Sequence, residues 1–373
     1  MSTATGKESA YATATIPSLD GIRALAVSLV FFAHSGFEHV VPGGLGVTLF
    51  FVLSGYLIAS VLLRERDYTG TVAVSRFYAR RAWRLVPALV TVSAVLMVVG
   101  VVAGDPRGVT EDSLLTLTYV ANWARSTGDE MGLWNHAWSL SIEAQFYVLA
   151  PIALVALTRI TSPRSKALIA TLVVALIAAT LIRVVVAGTG ASDERVYFGT
   201  DTRMDALLLG CLLGAVRMRH PEWTPGVWVG PLGLGALAVL AFLPVADAVP
   251  GGFGYSLTAL ASCGVVAGSL RDDPWWNGRP GRSLAWLGER SYALYLVHVP
   301  VFLFATHALA SMEPGLRVGT GVMTSLTLSA LLFRYVERPS RHGIRFRGGV
   351  LRGFAGLELR SYARIGLRRQ ASG

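Results

Sequence analysis

Charge is scarce in this chain. Only 15% of its residues are Asp, Glu, Lys or Arg, against about a quarter in an ordinary soluble domain, and lysine occurs only at Lys7 and Lys166. Cysteine is nearly missing too. Cys211 and Cys263 both fall in apolar stretches, so they read as small packing residues with no metal-ligand spacing and no sign of a disulfide. No unit of roughly 20 to 50 residues recurs, and no inverted pair of interrupted helices is evident, so a single integral domain is the economical organisation.

Apolar residues fill the space that charge leaves. They make up 53% of the chain, and the mean hydropathy is +0.53. Ten apolar stretches follow one another at 22–37, 45–63, 85–103, 137–157, 167–187, 204–216, 226–246, 252–270, 291–310 and 316–333. Most approach the roughly 20 residues that cross a hydrocarbon core, while the first and sixth must borrow flanking residues. The expected fold is therefore all-α integral membrane with about ten transmembrane helices.

Arginine orients that bundle, because cationic loops stay on the cytoplasmic side. The segments 64–84, 159–166, 217–219, 271–290 and the tail are arginine-rich, and the alternate loops 38–44, 104–135, 188–203, 247–251 and 311–317 are poor in cations. Both termini are then expected in the cytoplasm. The net charge of +10 lies along one membrane face, which suits anionic lipid headgroups and not nucleic acid. Residues 1–17 read as a polar segment with no basic start beyond Lys7 and no cleavage site after the first stretch, against a removable signal peptide. Residues 18–340 read as the transmembrane domain. In 341–373, apolar residues interleaved with arginine suggest a short helix on the cytoplasmic leaflet, with a disordered basic tail as the alternative.

Polar groups inside apolar runs carry the candidate chemistry. Arg23 and His34 are eleven residues apart, which on a straight helix displaces them by about 20° around the axis and about 16 Å along it. They would share one face, either as a site or as a snorkelling arginine and a helix-to-helix hydrogen bond. In FFVLSGYLI, Ser54 and Gly55, followed by Tyr56, form a small notch for another backbone or for a slender acyl chain. As a nucleophile Ser54 would need a base, and nothing local supplies one. Arg76, Arg80, Arg81 and Arg84 stand at helical spacing and can grip the phosphates of a cytoplasmic ligand, although retention of positive charge inside explains them equally.

Glu143 is the most costly residue of all, at about 2.5–3.5 kcal/mol at mid-membrane unless it is protonated, paired or wet. With Trp138 taken as an interfacial anchor, its depth allows a pair with His34, the acid orienting the imidazole. His298 in the ninth stretch reads as a second-tier candidate. Arg203 and Asp205 lie at the outer end of the sixth stretch, and Glu337 with Arg334 and Arg338 reads as an interfacial charge cluster.

Taken in order, LDGIRALAVSLVFFAH, FFVLSGYLI, RFYARRAWRLVP, WSLSIEAQFYVLAP, RMDALLLG, LGERSYALYLVHVP and VERP resemble the signature segments of the membrane acyltransferase-3 family. The resemblance covers about residues 18–340. It implies a helical fold of about ten spans that moves an acyl group, commonly acetyl, from acyl-CoA to a hydroxyl, usually on a sugar. Arg23 and His34 match its arginine-x10-histidine element, Phe50, Phe51, Ser54 and Gly55 its FFxxSG element, and Arg81 and Arg84 its RxxR element.

On that resemblance His34 is the expected base, Glu143 its orienter, and Arg23, Arg80, Arg81 and Arg84 the donor-binding cations. Ser54, Gly55, Tyr56 and His298 are expected to line the pocket. Acyl-CoA is expected as a cosubstrate, with no bound cofactor and no metal. The acceptor is a carbohydrate or glycoside, on a cell-surface glycan or a macrolide sugar, at the plasma membrane. The carboxyl end lacks the fused esterase-like domain of some members, which leaves open a partner protein that finishes the transfer. An acyl-enzyme relay also fits. The rival class is a glycan or lipid transporter that uses His34 and Glu143 as a proton relay.

Overall fold

A computed structural model describes residues 17–37, 42–242, 252–271 and 273–341, and among them every regular element is a helix. The amino-terminal segment and the basic tail expected on the leaflet lie outside the described residues. Helices occupy all ten apolar stretches: α1 (Pro17–Phe32), α2 (Gly43–Thr69), α3 (Val74–Ala103), α6 (Trp138–Ile160), α7 (Lys166–Gly188), α9 (Thr200–Arg219), α10 (Val229–Phe242), α11 (Phe253–Gly268), α13 (Ser291–Ala308) and α14 (Pro314–Leu332). Shorter helices join them: α4 (Pro106–Leu117), α5 (Ala121–Ser126), α8 (Asp193–Phe198) and α12 (Arg279–Glu289).

Seven of these helical segments are long and apolar enough to cross a bilayer, namely those built on α1, α2, α3, α6, α7, α13 and α14. The chain is a multi-pass membrane protein. The other three fall short for separate reasons. As described, α10 has 14 residues and α11 has 16, or about 21 and 24 Å against a core of about 30 Å. In α9, Asp201, Arg203 and Asp205 occupy the first two turns.

Local sequence sets the helix ends. Ser165 caps α7 by accepting from the Leu168 N–H at 3.1 Å, and α2 closes on Gly70 at φ 72°. Regular α1 stops at Phe32. A single π turn, Ala33–Phe37, follows it and carries Gly36 at φ 96°.

Apolar on every side, α2 is buried from Leu45 to Leu63 almost without a break, as a helix without a polar face must be. Its tightest neighbour is α9. A Cβ on Gly55 would stand 1.9 Å from the Leu207 carbonyl oxygen, and one on Gly210 would stand 2.0 Å from that of Val52, so only glycine permits this backbone contact. Exposed apolar faces suited to lipid include those of α3, with Val90, Val95, Val98 and Val102, and of α7, with Val174, Ile177, Leu181 and Val185.

One buried charge cluster ties the carboxyl end of α7 to the amino ends of α9 and α11. Arg183 pairs with Asp205 at 2.8 Å with both side chains almost fully covered. Ser256 donates to the same carboxylate at 3.1 Å, and Arg183 also donates to the Thr202 carbonyl at 3.0 Å. Arg203 donates to Thr48 of α2 at 3.0 Å and lies 4.4 Å from the Tyr255 ring centre. Breaking such a pair strands a charge, so these residues fix helix positions.

The α2–α9 contact can be tested. Gly55→Ala forces the two backbones apart and is expected to destabilise the protein by about 1–3 kcal/mol, read as a lower melting temperature in detergent. An unchanged melt would contradict the contact.

Candidate active site

Between α1, α2, α3, α6 and α13 lies a cavity with about 80 Å3 of free volume, where a single water needs about 10–15 Å3. Arg23, Arg81 and Arg84 line it at one end, Ser54, Glu143 and Tyr147 contribute its polar wall, and Val47, Ser139 and Tyr295 line it further along. From Leu57 to Val47 it follows ten residues of α2, or about 15 Å.

The polar wall is built from two helices. Ser54 of α2 donates to Oε1 of Glu143 at 2.8 Å, and Tyr147, one turn beyond Glu143 on α6, donates to Oε2 at 3.2 Å. The hydroxyls of Ser54 and Tyr147 also meet at 3.1 Å. The carboxylate therefore has a donor on each oxygen. Arg81 lies 4.8 Å from the Tyr147 ring centre, and Arg23 pairs with Asp20. The arginine end stays partly open, since Arg23, Arg81 and Arg84 are only half-buried.

A second group of polar side chains stands at the other end. His34, in the π turn, is exposed, and its Nδ1 lies 2.8 Å from the Val30 carbonyl oxygen. Its ring is 5.1 Å from that of His298 on α13, centre to centre. The His298 ring is in turn 5.0 Å from that of His136, in the turn before α6. His136 and His298 are buried. Burial, and then the neighbouring charges of His298 and His34, hold the His136 imidazole well below its usual range. Tyr295 joins this group to the cavity: its hydroxyl donates to the His136 carbonyl at 2.7 Å and meets the Ser139 hydroxyl at 2.7 Å.

Several sequence expectations need correction. His34 and Glu143 are not paired: both oxygens of Glu143 are engaged by Ser54 and Tyr147, and His34 faces His298. The depth is the reason. A Cβ on Gly43 would lie 3.8 Å from His34, and Ser54 is eleven residues further along α2, about 16 Å away. Trp138 is no interfacial anchor, because it is buried with its ring 6.3 Å from that of Phe51, so α6 starts well inside the bundle. The straight-helix register of Arg23 and His34 ends at residue 33, where the π turn begins.

Ser54 lines the cavity, but Gly55 faces α9, and neither Tyr56, His298 nor Arg80 is among the lining residues. The serine without a local base has a carboxylate from a helix 89 positions on. His136, Tyr147, Ser139 and Tyr295 were missed by sequence reasoning. A polar residue one turn from Glu143, and a histidine beside the polar start of α6, were the available signals.

The family model described as an acyltransferase domain matches residues 16–334. The chain is 31% identical to the peptidoglycan O-acetyltransferase OatA of Listeria monocytogenes over 94% of its length and 59% of that protein's. It is 30% identical to the O-acetyltransferase OatA of Staphylococcus aureus over 90% of its length and 58% of the relative's. A putative O-acetyltransferase of Staphylococcus aureus strain COL is 32% identical over 87% of this chain and 57% of its own. The chain thus spans less than three fifths of each of these relatives. No solved structure matches. All three relatives are named as acetyltransferases, which lends the transporter reading no support.

Ser54→Ala removes the donor from one oxygen of Glu143. The expected loss is about 1–3 kcal/mol, seen as a lower melting temperature in detergent that Ser54→Thr, with its hydroxyl retained, largely avoids. Equal melts for wild type and Ser54→Ala would contradict the bond.

Proposed function

The chain belongs to the acyltransferase-3 family, and from that premise we propose that it is a membrane O-acyltransferase. It moves an acyl group, acetyl in the names of its relatives, from acyl-CoA to a hydroxyl of a carbohydrate. The acceptor is a cell-surface glycan or a glycosylated metabolite such as a macrolide. The bundle crosses the plasma membrane about ten times with both termini and the arginine end in the cytoplasm, and residues 18–340 form the acyltransferase domain.

The observation that supports this reading is the cavity itself, which begins among three arginines and reaches Tyr295, whose ring lies 5.2 Å from that of His136 and 5.5 Å from that of His298. Guanidinium groups bind phosphate bidentately, so Arg23, Arg81 and Arg84 hold the phosphates of the donor, with Arg80 adding charge at the entrance. The slender thioester arm of the donor lies along the cavity. Glu143, fixed by Ser54 and Tyr147, faces that arm and accepts an amide N–H from it.

The acceptor comes from the opposite side. An alcohol attacks a thioester poorly near neutral pH without a base. His34 supplies one where it is exposed. Its Nδ1 sits at hydrogen-bond distance from a carbonyl oxygen and so carries the proton, which leaves Nε2 as the basic nitrogen.

Purified protein in vesicles, given radiolabelled acetyl-CoA and candidate glycans, tests the reading. Labelled ester is expected with wild type, and none with folded His34→Ala. Arg81→Ala and Arg84→Ala are expected to raise the donor KM on the order of tenfold. Full transfer by His34→Ala would contradict the role of His34, and transport of glycan with no covalent product would contradict acyltransfer.

A further inference from the structure

We infer that His298 and His136 act with His34 as one proton-sharing cluster, which takes the proton of the acceptor hydroxyl at the exposed end and returns it to the leaving thiolate on the cavity side. The inference rests on the reading of His34 as the base.

Three separate segments bring these imidazoles together, and the His298 ring stands nearly edge-on to both others, at 77° to His34 and 75° to His136. Both Nδ1 atoms of His34 and His298 are 2.8 Å from backbone carbonyl oxygens, of Val30 and Tyr295. A ring nitrogen so close to an acceptor carries its proton, so in each neutral ring Nε2 holds the lone pair.

Nε2 of His298 and both nitrogens of His136 are buried without a hydrogen-bond partner in the protein. Buried polar atoms are rarely left so, and here three of them belong to two rings whose centres are 5.0 Å apart. The two rings stand beside the cavity, because Tyr295, which lines the cavity, has its ring 5.5 Å from His298 and 5.2 Å from His136. No direct hydrogen bond joins these nitrogens, and the ring separations suit one bridging water.

A lone imidazolium inside the bundle would be poorly solvated, and spreading its proton over neighbouring rings lowers that penalty. The acceptor oxygen bonds to the thioester carbon, the C–S bond breaks, and the hydroxyl proton passes to Nε2 of His34. From there it moves through a bridging water to Nε2 of His298, or by way of His136, and on to the coenzyme sulfur, which leaves as the thiol. No other reactant is needed. His298 and His136 thus relay the proton that His34 takes.

The test uses the full chain in vesicles, with acetyl-CoA and the glycan that wild type acetylates. His298→Ala and His136→Ala are expected to lower kcat on the order of 100-fold while each KM stays within about twofold. Added imidazole is expected to restore part of the His298→Ala rate, and the solvent deuterium effect on kcat is expected to change. Phe302→Leu, which alters packing beside Phe31, should leave kcat as it is.

If His298→Ala does not fold, His298→Gln keeps an N–H for the Tyr295 carbonyl but cannot pass a proton, and the same loss of kcat is expected. Wild-type kcat in His298→Gln beside an inactive His34→Ala would overturn the inference and leave acyltransfer standing. Losses that follow the melting temperature and ignore imidazole would overturn it too. Wild-type protein that forms no ester would overturn acyltransfer itself, and this inference with it.

Discussion

A helix that is apolar on all sides has no surface to show to water and gains little by facing lipid in preference to protein, so α2 becomes the axis on which other helices pack. Each of its faces has a separate task. Gly55 admits the backbone of α9, Thr48 receives the Arg203 guanidinium, and Ser54 turns toward the cavity and holds Glu143. Because α2 lines the site from Val47 to Leu57, its residue spacing also gives a length along the site.

That distance changes what the polar residues can do. With Ser54, which holds the carboxylate, about 16 Å along α2 from Gly43 beside the exposed imidazole, the proposed function has them serve different parts of one long substrate instead of forming a single dyad. Lipid surroundings make the arrangement strict, since every polar group within the bundle needs a partner or a purpose. Glu143 finds two hydroxyl donors and Arg183 finds Asp205. His136 and His298 keep nitrogen atoms without a protein partner, next to the space where a reacting group would arrive.

Much of the helix layout is legible in the sequence because length and hydropathy are local properties. The ten apolar stretches all carry helices, and Arg23, Arg81, Arg84, Ser54 and Glu143 do line one cavity. Depth is not local, and there the sequence misleads. Trp138 reads as an interfacial anchor, yet it is buried against Phe51 and so faces protein instead of the lipid interface. His34 turns toward α13 because α1 gives way to a π turn, which periodicity does not reveal. Arg183 was passed over in the sequence, although an arginine amid the apolar run of α7 calls for a buried partner; nothing in the sequence says that the partner is Asp205.

The central claim is that one molecule of donor joins the arginine end to the histidine end. Its most direct test is photocrosslinking with a coenzyme A analogue that carries a diazirine at the acyl terminus, followed by mass spectrometry of the labelled residues. The account predicts labels at His34, His136 or the Tyr295–His298 turn of α13, lost when unlabelled acetyl-CoA competes. Labels confined to α3 around Arg81 and Arg84, with none reaching the histidines, would contradict it.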